Sequence, residues 1–178
     1  PVLCSEVFEA INLLQKRYRA ELNEHERLVR AEQERAVESY HKVMKKVLSL
    51  QVQKMWDQAY KTLCYFSGEF DKTLPPDYKT TICNDIVRLG IRCNASIQDI
   101  SHWLEKGVSV AMSYKSRDGV AEALDFIDAY GEFFLRENSG KGPLLMGNIL
   151  AAIEEPSARY ELWEEYKALL NQLYPLDK

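Results

Sequence analysis

Glycine and proline are missing from the first third of this chain: from Val2 to Ser67, 66 residues, neither occurs. That absence removes the residues that normally make tight turns and end helices. Long apolar runs are missing as well. No stretch approaches about 18 apolar residues, and "PVLCSEVFEAINLL" has no basic segment ahead of an apolar one, so neither a membrane span nor a signal peptide is expected. A chain that opens on Pro1 rather than Met is expected to be part of something longer.

Cysteine is sparse. Cys4, Cys64, Cys83 and Cys93 form no C-x-x-C and no paired metal spacing, which predicts reduced, mostly buried thiols in an intracellular, cytoplasmic protein. Asn94-Ala95-Ser96 matches the glycosylation pattern in form, but without a secretory signal Ser96 reads as a helix cap. No charge of one sign dominates either. The formal net charge is −4; residues 1–70 carry 11 Lys and Arg against 10 Asp and Glu, and residues 71–178 carry 12 against 17. Neither half is basic, which argues against a nucleic-acid partner.

What is present is apolar residues, 46% of 178, with 11% aromatic, enough for a substantial core and for one large or two small domains. Through the first region they fall at helical spacing: Val7, Ile11, Leu14, Tyr18, Leu22, His25 and Val29, then Tyr40, Val43 or Met44, Val47, Met55, Ala59, Leu63 and Phe66. The spacing predicts helix almost throughout residues 2–67. At 1.5 Å per residue one helix of that length would extend about 100 Å, more than the rest of the chain can cover. The strongly polar stretch Glu21 to Lys42 lies in its middle. Glu26, Arg30, Glu34, Glu38, Lys42 and Lys46 stand four apart, mostly alternating in sign, as in a helix that stays in solvent. A projecting coiled-coil-like arm is preferred over a hairpin turning near Glu21–Glu26, where Asn23 is the one turn former.

Pro75 and Pro76 close this region, dividing it into a long helical segment, residues 1–70, and a compact helical domain, residues 71–178. The second part reads as five helices. The first is capped by Asp77, with Ile82, Ile86, Val87 and Leu89 inward, and ends near Cys93. The second starts at Ser96, with Ile97, Ile100, Leu104, Val108, Ala111 and Met112 on one face. The third starts at Ser116, with Val120, Leu124, Ile127, Tyr130 and Phe134 inward. Pro143 and Pro156 fit the first turns of the last two, the final one placing Tyr160, Trp163, Tyr166, Leu170 and Leu173 inward. The fold class expected is all-α: a long N-terminal helix followed by a bundle or short solenoid of about five helices.

Candidate chemistry is thin. Glu38-Ser39-Tyr40-His41 is a Glu-x-x-His, the ligand pair of di-iron bundles, but no second copy exists and this one lies in the most polar stretch. His102 beside Trp103 could serve a thiol at Cys83 or Cys93, without local sequence support. "ENSGKGP" lacks the first glycine and the Ser or Thr of a phosphate loop and reads as an interhelical loop. With no catalytic constellation, cofactor loop or metal set, a non-enzyme without cofactor is expected. Two surfaces are candidates for a protein partner. Asp118, Glu122, Asp125 and Glu132, with Asp128 nearby, form an acidic strip suited to a basic peptide or helix, or simply a solvent face. Trp56, Tyr60 and Phe66, with Tyr65 and Phe70, form an aromatic cluster that either anchors a partner or marks where the long helix enters the following domain. The function expected is an interaction, scaffold or adaptor module that forms a homodimer through its long helix and binds a protein through its helical domain. The alternatives are a peripheral membrane-binding helical dimer, for which the basic residues are too interleaved with Glu, and an enzyme on a helical bundle.

Overall fold

The computed structural model describes residues 2–137 and 140–175, and the side chains of Val7 and of Ala10 onward. Among the described residues there are seven helices and no strand, so the protein is all-α, with one long helix followed by a bundle of shorter ones. They are α1 (Val2–Val52), α2 (Trp56–Phe70), α3 (Pro76–Arg92), α4 (Ile97–Ser113), α5 (Arg117–Leu135), α6 (Lys141–Arg159) and α7 (Trp163–Leu173).

The expected run of helix to Ser67 breaks at residues 53–55, with neither glycine nor proline there. Lys54 takes the left-handed conformation (φ 59°), and its amide and that of Met55 donate to Gln51 O and Leu50 O, both at 2.9 Å. The cause is packing. The covered seam of α1 ends at Leu50, beyond which the chain reverses and lays Ala59, Leu63 and Phe66 of α2 onto Ala36, Tyr40 and Val47 of α1. A helical hairpin does form, but its turn lies some thirty residues beyond Glu21–Glu26.

From α2 onward the helices pack largely in chain order: α2 on α3, α3 on α4, α4 on α5, α5 on α6, with α7 against α5 and α6. Two apolar cores result, and α3 contributes to both. Ile82, Ile86 and Leu89 face α1 and α2, while Cys83 and Val87 face the core of α4 to α7. The caps follow the sequence pattern. Ser96 and Ser116 accept hydrogen bonds from the amides of Asp99 (3.1 Å) and Gly119 (3.2 Å), opening α4 and α5. Pro76 occupies the first turn of α3, behind Pro75 as the capping residue, so Asp77 lies one residue inside the helix it was expected to cap.

The last two helices depart from expectation. Pro143 does lie in the first turn of α6, but Pro156 is inside that helix near its end, and α7 begins only at Trp163. Glu161 in the left-handed conformation (φ 62°) makes the turn between them, again without glycine. Starting there rotates the buried face of α7 to Tyr166, Leu169 and Leu173, leaving Trp163 at the surface and Tyr160 and Leu170 half-buried.

Candidate functional site

Among the described residues none covers the upper part of α1. Every residue from Ala10 to Arg30 is exposed, and among the described side chains of α1 the first that is fully buried is Ala36. Exposed on this stretch are Val7, Ile11, Leu14, Tyr18, Leu22 and Val29 on the seam, with Leu13 and Leu28 beside it. Contiguous exposed apolar surface of this kind is unusual for a monomer and marks interaction surfaces. A polar helix face carries the rest of the solvent contact; Arg27 holds the Glu24 carboxylate with two nitrogens, at 2.7 and 3.0 Å.

The covered and uncovered parts of α1 follow one repeat. Val7, Tyr18, Val29 and Tyr40 stand eleven residues apart, as do Ile11, Leu22, Gln33 and Met44, and Leu14, His25, Ala36 and Val47. Eleven residues in three turns is 3.67 per turn, so the stripe stays on one side of a nearly straight helix. Its lower end, from Ala36 to Leu50, lies beneath α2 and α3. Its upper end, on the same face, meets solvent.

The aromatic cluster divides. Tyr60 and Phe66 are buried in the core shared by α1, α2 and α3. Trp56 is half-buried, with the Arg92 guanidinium 4.4 Å above its ring. Phe66 stacks on Phe70 at 4.7 Å, and Tyr40 meets Tyr78 edge-on at 5.0 Å. Tyr65, by contrast, is 73% exposed. It rims a groove of about 490 Å³ between α1 and α2, with Val43 and Phe66 at its floor and Lys46, Lys61 and Glu69 on its edges.

The acidic strip also divides. Asp118 lies in the first turn of α5, where a carboxylate complements the helix dipole. Glu132 is held by Arg136 at 2.8 Å. Glu122 and Asp125 line a groove of about 320 Å³ against Thr80, Thr81 and Asn84 of α3, floored by Phe126. Asp125 and Asp128 line a second groove, toward α7, and there tertiary packing adds Glu165, which sequence spacing alone could not bring to the strip. Gln172 donates to Asp128 at 3.1 Å, and Arg117 approaches Glu165 at 4.0 Å. Tyr114 closes one end of the α3–α5 side by donating to Asp77 at 2.8 Å; burial, and then that carboxylate, raise its phenol above the ordinary value.

The remaining chemical candidates separate in space. Glu38 and His41 are both exposed, and His41 packs its ring against Tyr40 and Tyr78. Among the described residues no group of three or more His, Cys, Asp or Glu is placed to hold a metal ion. His102 is exposed on α4, whereas Cys83 lies in the core beneath Gly107 and Phe126. Burial pushes the Cys83 thiol up to about 12 and the Cys64 thiol up to about 11, the opposite of the lowered value a nucleophilic thiolate requires. In "ENSGKGP", Asn138 and Ser139 lie outside the described residues; Gly140, at φ 76°, caps α6. Among the described residues no helix is long and apolar enough to cross a membrane. Set against family models, curated proteins and solved structures, the chain matches none.

Proposed function

We propose that this chain is an intracellular protein–protein interaction module of the scaffold or adaptor kind. It self-associates through the α1 arm and presents its helical body to a protein partner. One observation carries the reading: a single eleven-residue stripe is covered inside the chain below Ala36 and uncovered on the same face above it. Apolar surface that stays wet gains nothing; covering a Val, Leu or Ile side chain stabilises by about 1.5–3 kcal/mol when burial is complete. An isolated helix is also marginal in water unless tertiary or quaternary packing supports it. A partner helix on the seam answers both conditions.

On the body, the acidic patch of Glu122, Asp125, Asp128 and Glu165 supports docking of a basic helix or extended peptide, drawn in by charge and weakened by salt. Self-association is checked by sedimentation equilibrium of the whole chain at micromolar concentration. The expected result is a species heavier than 20.6 kDa that dissociates on dilution. A strict monomer across the range would overturn the reading.

A further inference from the structure

We infer that the uncovered seam takes a second α1, and that the two helices wind about each other with the shallow right-handed twist of an eleven-residue repeat, not the left-handed twist of a heptad coiled coil. This rests on the self-association proposed above and specifies the kind of contact that makes it, whichever way the second helix runs.

The first argument is spacing. From Val7 to Val47 the stripe steps by four, three and four residues in each repeat, with His25 and Gln33 as its polar interruptions. A heptad seam alternates four and three, without the doubled four. Drawn from Val7, such a seam passes through Glu21, Glu32, Arg35 and Lys42. Drawn through Tyr18 and Leu22, it passes through Gln15, Glu32 and Lys46. On the eleven-residue line all of these fall beside the seam.

The second argument is the covered half, which shows the line this helix already uses. Ala36 and Val47, eleven residues apart, are 1% and 0% exposed, with Tyr40 and Met44 half-buried between them. Arg35, Lys42 and Lys46 are exposed. A helix of this chain, α2, thus packs on the eleven-residue stripe, and the upper seam is the same stripe continued in phase. A second helix laid there extends a contact surface that already exists below it.

The third argument is selection of the partner. A seam at about 3.67 residues per turn advances about 98° per residue, and a heptad seam about 103°. Over the 22 residues from Val7 to Val29 the two diverge by about 100°. A heptad helix seated on Val29 has therefore turned its apolar line away before it reaches Val7, whereas a helix of the same repeat stays in contact throughout. Among the described helices the next longest after α1, α5 and α6, have 19 residues, fewer than two repeats. The helix of this chain that matches the seam is another α1.

The test compares two neighbouring residues of the full chain by sedimentation equilibrium at micromolar concentration. Leu14 lies on the eleven-residue seam and Gln15 on the heptad seam through Leu22; both are exposed in the single chain. Leu14→Gln is expected to raise the dimer dissociation constant by about 30-fold or more, because each copy loses an apolar contact. Gln15→Leu is expected to change it by less than about threefold, as at a position beside the contact. Leucine and glutamine form helix about equally well, so circular dichroism should be the same for both variants and the native chain. A tighter dimer for Gln15→Leu with little loss for Leu14→Gln would mean left-handed heptad pairing, which overturns this inference and leaves self-association standing. Equal effects of the two substitutions on a dimer that persists would also reject this seam. Monomeric sedimentation of the native chain would remove self-association itself.

Discussion

Replacing Leu22 by Ala separates the arm from the body. Leu22 is 43% exposed on the lone arm, so a partner helix can remove at most that fraction of its surface from water. Leu→Ala deletes three carbons, worth about 2.4 kcal/mol at full burial at about 0.8 kcal/mol per carbon. Scaled by the exposed fraction this becomes about 1 kcal/mol per copy, and about 2 kcal/mol for a dimer in which both copies are changed. At about 1.4 kcal/mol per tenfold, the dimer dissociation constant should rise by about 30-fold. Alanine is at least as good a helix former as leucine, so loss of helix cannot mimic the effect. Leu48→Ala provides the control, because Leu48 is similarly exposed on the same helix but stands off the stripe, beside the body. Sedimentation equilibrium over two decades of concentration should show weakened association for Leu22→Ala alone, with circular dichroism unchanged in both. Equal association of the Leu22 variant and the native chain, or equal weakening by the two variants, would refute the claim that this seam is the contact.

Gly107→Ala and Gly147→Ala make the same chemical change with opposite expected signs. A Cβ at Gly107 would meet the Phe126 ring at 2.7 Å and Cys83 Cβ at 3.1 Å, so overpacking of about 1–3 kcal/mol outweighs a helix gain of about 1 kcal/mol and the urea midpoint falls. At Gly147 nothing lies within 4 Å, so stability rises by up to about 1 kcal/mol and the midpoint rises with it. The double variant Glu122→Lys/Asp125→Lys should melt within about 0.5 kcal/mol of the native chain, as expected for surface positions, yet bind a fluorescent Lys- and Arg-rich helical peptide more weakly; binding at native strength over a range of salt would reduce the strip to a solvent face. Alkaline pH should destabilise the fold. Cys83 keeps its proton in the folded chain up to about 12 because it is buried, whereas the unfolded thiol loses it from 9.0, so stability is fully present below 9 and declines as pH rises toward 12. Cys83→Ala should flatten that decline in urea titrations at pH 8 to 11.

Much of the body was legible because its signals are local. Ser96 and Ser116 cap where a side-chain oxygen precedes an amphipathic run, and Val120, Leu124, Ile127, Tyr130 and Phe134 are all buried because one helix face has one neighbour layer. The two turns that were missed, at Lys54 and Glu161, put long charged residues where glycine is the usual choice. Their conformations are set by packing on either side: the return of α2 onto α1, and the burial of Leu162 at the start of α7. Neither force is written in the turn itself. The same holds for the candidate surfaces. Tyr60 and Phe66 look like anchors in the sequence and lie in the core, while Glu165, 40 residues from Asp125, joins the acidic patch only through the contact of α7 with α5.

The polar stretch from Glu21 to Lys42 is where local and tertiary signals cross, and it shows why one pattern meets two environments. Its repeat does not change at Ala36; what changes is the supply of covering material. The covered seam, Ala36 to Leu50, is 15 residues long, and α2, which lies on it, is also 15 residues long. Below that length the stripe is satisfied inside the chain and its residues are large, Tyr40, Met44 and Val47. At the boundary the stripe holds Gln33 and Ala36, a polar and a small residue, where the cover of α2 ends. Above it the large residues return as Val29, Leu22, Tyr18 and Leu14. A helix meant only for solvent would have no reason to resume them in phase.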